Sequence, residues 1–190
     1  MHLIVTTVLS LLFLCCLWEV ETRKVTSTLS VSNGGPWGEW GKQEFCPKGY
    51  IKGFSLKLPE KHGSLHDDTG VIAIRGYCSD GSAITSSVGK GGTWSEEIAC
   101  WHSYLNAFSL RVTKPQGSFQ DDTAVDNIKF KCSVGSGVEG DGQAWGKYGE
   151  WSEACKEGNI CGMQTKVEKP TWPQTMDRTE LNDVKFFCCK

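Results

Sequence analysis

The chain has 190 residues, with 20 basic and 22 acidic side chains, four histidines and ten cysteines. A formal charge of −2 leaves no basic excess to attract nucleic acid, and no polybasic run marks an anionic lipid surface. The length is enough for one domain with a sizeable core.

The first element is an apolar run from Leu3 to Trp18, too short and too weakly flanked for a spanning helix. It reads as a secretory leader over residues 1–22 with cleavage near Thr22; a signal anchor is the rival reading. No later segment is long and apolar enough to span a bilayer, so the mature chain is expected to be secreted, with no membrane insertion. Cleavage removes Cys15, Cys16, Glu19 and Glu21, leaving eight cysteines and balanced charges. An even cysteine count in an oxidising compartment predicts four disulfides.

The remaining chain, residues 23–190, repeats itself with a period of 54. Trp40, Cys46, Tyr50, Phe54, Leu56, Asp67, Asp68, Thr69, Ile74 and Cys78 recur at Trp94, Cys100, Tyr104, Phe108, Leu110, Asp121, Asp122, Thr123, Ile128 and Cys132. In all, 14 of 39 positions are identical with no gap, and a third copy follows through Cys155, Met163, Asp177, Thr179, Leu181, Val184 and Cys188. Self-similarity at a fixed period means one supersecondary unit used several times. The three repeats run over about 34–88, 89–142 and 143–190 and are expected to share one pseudo-threefold domain.

Each repeat opens on glycine and tryptophan: Trp37 and Trp40, then Trp94, then Trp145 and Trp151. After a cysteine comes an alternating stretch: Phe54-Ser55-Leu56-Lys57-Leu58, Phe108-Ser109-Leu110-Arg111-Val112 and Met163-Gln164-Thr165-Lys166-Val167. Period-two alternation over five residues is a half-buried strand. A loop with Asp-Asp-Thr follows, and then a second strand. There Ile74, Gly76 and Cys78 share a face, as do Ile128, Phe130 and Cys132, and Val184, Phe186 and Cys188, with Arg75, Lys129 and Lys185 on the wet side. No window carries a capped 3.6-residue period, so the fold is all-β, with about four strands per repeat and roughly twelve overall. A β-trefoil has shorter repeats and a Gln-x-Trp signature that is missing here, and a propeller needs at least four blades. Three separate four-stranded sheets arranged as the faces of a prism suit the repeat length.

The repeat register pairs Cys46 with Cys78 and Cys100 with Cys132. In the third repeat Cys155 and Cys188 occupy the matching places, leaving Cys161 for Cys189; the alternative is Cys155 with Cys189 and Cys161 with Cys188. Zinc is a weak rival, because no Cys-x-x-Cys occurs.

The opening Asn33-Gly34-Gly35-Pro36-Trp37-Gly38, the Gly-Phe-Ser-Leu-Lys and Ala-Phe-Ser-Leu-Arg strands, the two Asp-Asp-Thr turns and the ending Leu181-Asn182-Asp183 with Phe187-Cys188-Cys189 resemble the vitelline membrane outer layer protein 1 family over Val31 to Lys190. The resemblance implies a β-prism I fold: three four-stranded Greek-key sheets about a pseudo-threefold axis, stapled by disulfides. It also implies a secreted protein of the outer layer of the egg envelope. One departure stands out, since the third acidic turn reads Asp177-Arg178-Thr179.

Candidate chemistry centres on those turns. Threefold symmetry would bring Asp67, Asp68, Asp121, Asp122 and Asp177 towards one end of the prism, where carboxylates hydrogen-bond sugar hydroxyls, bind calcium or act as an acid and base pair. The plainer reading is that aspartate and threonine cap tight turns. The tryptophans recurring at one register are expected to fill the core, while the singletons Trp101 and Trp172 are expected at the surface as sugar-stacking candidates. His62, His66 and His102 stand in no nucleophile-elbow or metal-binding pattern. No cofactor and no metal site are expected. The leading reading is therefore a non-enzymatic component of an extracellular coat, its partners being coat glycoproteins or glycans. A lectin-like carbohydrate binder is the alternative, on fold analogy alone. A chito-oligosaccharide-cleaving enzyme comes third.

Overall fold

The computed structural model describes residues 23–60, 70–113, 124–168 and 180–190, and among them are fourteen strands and no α-helix. In chain order the strands are β1 (Val25–Leu29), β2 (Glu39–Trp40), β3 (Glu44–Phe45), β4 (Ile51–Leu58), β5 (Ala73–Cys78), β6 (Ala83–Ile84) and β7 (Thr93–Trp94). They continue with β8 (Ile98–Ala99), β9 (Leu105–Val112), β10 (Val125–Cys132), β11 (Val138–Glu139), β12 (Lys147–Tyr148), β13 (Asn159–Val167) and β14 (Leu181–Cys189). Three long antiparallel hairpins, β4–β5, β9–β10 and β13–β14, form the centres of three sheets. Each is flanked by short edge strands: β6-β5-β4-β7, β11-β10-β9-β12 and β1-β14-β13-β2. The pieces β8 and β3 also pair with β4 and β13, as continuations of interrupted outer strands.

In the first two sheets three strands run consecutively and the fourth returns beside the first, which is the Greek-key order. The third sheet has the same layout, but its outer strands come from the other end of the chain: β1 pairs with β14, and β2 and β3 pair with β13. The amide of Lys190 donates to the carbonyl of Lys24 at 3.4 Å. The sheets are therefore out of phase with the sequence repeat. Trp94, near the start of the second repeat, pairs with Lys57 in the first sheet, as Trp40 pairs with Lys166 in the third.

Alternation decides which side chains meet at the centre. Phe54 and Leu56 on β4, Phe108 and Leu110 on β9, Ile128 and Phe130 on β10, and Val184 and Phe186 on β14 are all essentially inaccessible and belong to one core cluster. The phenyl rings touch across the sheets: Phe54 to Phe130 at 4.8 Å, Phe108 to Phe186 at 4.9 Å and Phe130 to Phe186 at 5.2 Å between centroids. Offset and edge contacts of this kind add about 0.5–1.5 kcal/mol each beyond area burial. Disulfides join Cys46 to Cys78, Cys100 to Cys132, Cys155 to Cys188 and Cys161 to Cys189. The first three share the repeat register. The fourth lies in a separate small cluster with Phe187, lined by Phe45 and Tyr50.

Candidate functional site

At one end of the prism the stems of the three acidic loops meet. Val71, Val125 and Leu181 hold equivalent places, and the backbone links them: Val71 N–H donates to Val125 at 2.7 Å, and Leu181 N–H donates to Val71 at 3.1 Å. The approach is close enough that a Cβ on Gly70 would stand 2.5 Å from the Val125 carbonyl, so only glycine fits there. Glu180 beside this junction is nearly buried and has a φ of 37°, a left-handed conformation rare outside glycine. Asp67, Asp68, Asp121, Asp122, Asp177 and Trp172 themselves lie outside the described residues.

Just inside this end the symmetry breaks. Where the first sheet has Ile72 and Ala73, the second has Asp126 and Asn127 and the third Asn182 and Asp183. Asp126 is 4% exposed and accepts the Thr113 hydroxyl at 2.7 Å, while Asn127 donates to the Gly140 carbonyl at 2.8 Å. Burial pushes the Asp126 carboxyl above its ordinary value, against the pull of the Thr113 bond and the Arg111 charge. Asp183 is shifted the same way by burial, opposed by its bond to the Val184 amide and by Lys166 and Lys185. A Cβ on Gly146 would sit 2.6 Å from Asp126 Oδ2, so backbone walls this carboxylate in and gives it a structural role.

Trp101 lies at the far end. It is 86% exposed, in the turn before β9, at the Leu105–Cys132 end of the β9–β10 hairpin. The hairpin's other end, at Val112 and Val125, is the stem of its acidic loop. Eight residues of strand separate the two, roughly 23 Å at the usual rise, so Trp101 and the acidic stems do not form one site. The Trp101 turn is rigidly framed. His102 has a φ of 50° and packs edge-on to the indole at 4.8 Å, and the Ser103 hydroxyl donates to the Val134 carbonyl at 3.0 Å. Val134, whose carbonyl takes that bond, is itself 71% exposed.

The recurring tryptophans do not fill the core. Phenylalanines from the central hairpins occupy it, while Trp40 and Trp94 sit on the short edge strands β2 and β7, and Trp37, Trp145 and Trp151 lie in the connections beside β2 and β12. Trp40, Trp94 and Trp151 are half-buried, while Trp37 and Trp145 are about half exposed. Their partners are the cations of the wet face: Arg75 stacks on Trp94 at 4.0 Å and Lys185 on Trp40 at 4.2 Å. The third member of this set is Tyr148, opposite Arg111 as Trp94 is opposite Lys57 and Trp40 opposite Lys166. Residue-type matching misses it; stepping 54 residues from Trp94 finds it. Among the described residues no three His, Cys, Asp or Glu side chains gather as a metal site, and no helix is long and apolar enough to cross a membrane.

Three Greek-key sheets around a shared aromatic core define a β-prism. Solved structures of that shape include Calystegia sepium agglutinin (TM-score 0.56, 16% identity, 87% of this chain and 97% of that one) and frutapin, a lectin from Artocarpus incisa (TM-score 0.55, 15% identity, 88% and 100%). At such identities the likeness is one of fold. The family is set by sequence: the profile described as Vitelline membrane outer layer protein I matches residues 27–190 and, in a second alignment, 5–83. The mouse Vitelline membrane outer layer protein 1 homolog is 44% identical over 179 residues, covering 90% of this chain and 87% of its own length; the human homolog is 42% identical over 173 residues, covering 87% and 84%. The chain belongs to the vitelline membrane outer layer protein I family.

Proposed function

We propose that this protein is a secreted, non-enzymatic component of an extracellular coat, the outer layer of an egg envelope or a related layer, built to bind coat glycoproteins or glycans. The observation that carries this reading is family membership over nearly the whole described fold, together with four disulfides, three of them on one closed core. Disulfides persist in oxidising, extracellular compartments, and a stapled shell suits long exposure outside the cell. The test is expression with residues 1–22 in place: the oxidised chain without its leader is expected in the medium and, on addition to isolated envelopes, bound to their outer layer. Retention inside the cell, or failure to bind envelopes, would remove the reading.

One observation favours a lectin-like mode of binding. Trp101 presents its indole to water on a hydrogen-bonded turn, and an exposed aromatic face of that kind stacks on sugar rings. A glycan array with the parent and Trp101→Ala tests it: neutral-glycan signals that fall at least tenfold in the variant support the mode, and unchanged signals dismiss it.

A further inference from the structure

The outer face of the β9–β10 sheet carries more charge than its two symmetry mates. In the other sheets one cation covers the edge-strand ring: Arg75 on Trp94, Lys185 on Trp40. On the β9–β10 sheet cations and rings alternate in a ladder of five side chains. Arg111 lies 4.6 Å from the Tyr148 ring centre, Lys129 lies 4.1 Å from Tyr148 and 4.9 Å from Trp151, and Lys131 lies 4.7 Å from Trp151. Two residues make the difference. Trp151 stands where the other sheets have Gln43 and Glu97, and Lys131 where they have Tyr77 and Phe187. In the first sheet Glu97 forms an ion pair with Lys52 at 3.5 Å, so charge there is compensated. On the ladder Glu139, the cross-strand partner of Lys129, lies 3.8 Å from Arg111 and accepts the Tyr148 hydroxyl at 2.9 Å, so the compensation falls towards the Arg111 end and away from Lys131. Among the described residues no carboxylate lies within ion-pair distance of Lys129 or Lys131.

A cation held against a ring keeps its charge and loses rotamer freedom in advance, so less ordering entropy is lost when an anion arrives. A closely balanced chain has no long-range field for a polyanion such as nucleic acid, whereas two ammonium groups within 4.9 Å of one ring centre suit discrete anionic substituents at short range. We propose that this face binds acidic saccharides, with a sulfate or carboxylate substituent held between Lys129 and Lys131 beside the Trp151 ring. The choice of a saccharide rests on the extracellular reading above; the anion site rests on the ladder.

The test measures binding of the oxidised mature protein to an immobilised neutral glycan bearing a single sulfate, a sialylated glycan and their unsulfated and asialo counterparts. Acidic forms are expected to bind more tightly, less so as salt rises. Lys129→Gln/Lys131→Gln should lose about tenfold in affinity, Lys129→Arg/Lys131→Arg should retain it, and Lys185→Gln should leave it unchanged. The sulfated probe against the sialylated one separates sulfate from carboxylate as the preferred group. Lys131→Gln alone, at an exposed position, covers the case in which the double variant fails to fold, and is expected to lose severalfold. Equal binding by parent and lysine variants, or no preference for acidic forms by a folded parent, overturns the proposal. Neutral-glycan binding that depends on Trp101 but not on the lysines would overturn this site and leave the lectin mode standing.

Discussion

Gly76 stands where the other sheets place Phe130 and Phe186, and the core is built around that difference. A Cβ on Gly76 would lie 3.1 Å from Ile51 Cδ1 and 3.4 Å from Ile84 Cγ1, so any side chain there presses on both isoleucines. Gly76→Phe is expected to destabilise by about 1–3 kcal/mol through overpacking, although it restores the sequence symmetry. Phe130→Ala should cost about 3–5 kcal/mol, because Phe130 contacts rings from the other two sheets. Urea titration of both variants checks the pair, and a neutral Gly76→Phe would refute the packing account. Asp126 gives a pH signature. Its folded carboxyl is shifted upwards, chiefly by burial, so the folded state holds the proton more tightly than the unfolded chain does. Its contribution is fully present below the ordinary aspartate value of 3.8 and is lost as pH rises through the folded value. Asp126→Asn should therefore gain stability relative to the parent as pH rises from about 4 to 7. Thermal melts across that range that move in parallel would remove the burial argument.

At the scale of elements, the central hairpins were legible in the chain and the edge strands were not. Phe54 to Leu58 and Phe108 to Val112 alternate apolar with polar residues because one side of each strand meets the core, although Ser55 and Ser109 on the other side are buried as well. The two-residue edge strands carry no period at all. Whether Trp40 or Trp94 points inwards is decided by pairing with a hairpin from the neighbouring repeat, and residue type does not report that. For the same reason the ladder on Tyr148 and Trp151 was hidden: it depends on which residue faces Arg111 across the sheet. The cysteines were more readable, since three bonds share one register. The fourth, Cys161 to Cys189, pins β13 to β14 outside the shared core. It closes an interval of 28 residues, for which chain entropy gives about 3–4 kcal/mol. Cys161→Ala/Cys189→Ala should lose up to that amount while the other three bonds remain, as equilibrium unfolding with a thiol count would show. An unchanged midpoint would mean that Phe45, Tyr50 and Phe187 hold this corner without it.

The whole molecule is closed by its two ends, and this determines how it comes apart. Sheet β1-β14-β13-β2 draws on residues from both extremities, and its interior is the common core: Phe186 packs on Phe108 and Phe130 of another sheet. Bonds at the periphery cross between sheets as well. Thr165 donates to Ser87 at 3.0 Å, Asn33 to Leu110 at 2.9 Å, and the backbone chain through Leu181, Val71 and Val125 touches all three. No sheet can leave without stripping the inner faces of the other two, so unfolding should be a single transition. Leu29, on β1 and 2% exposed, tests this from the edge. Leu29→Ala should cost about 2–5 kcal/mol and lower Tm by about 10 °C. Under conditions that populate opening, amide exchange should then accelerate together in β4–β5, β9–β10 and β13–β14, although β1 itself pairs with β14. Exchange confined to β13–β14, with the other hairpins still protected, would show three separable sheets in place of one prism.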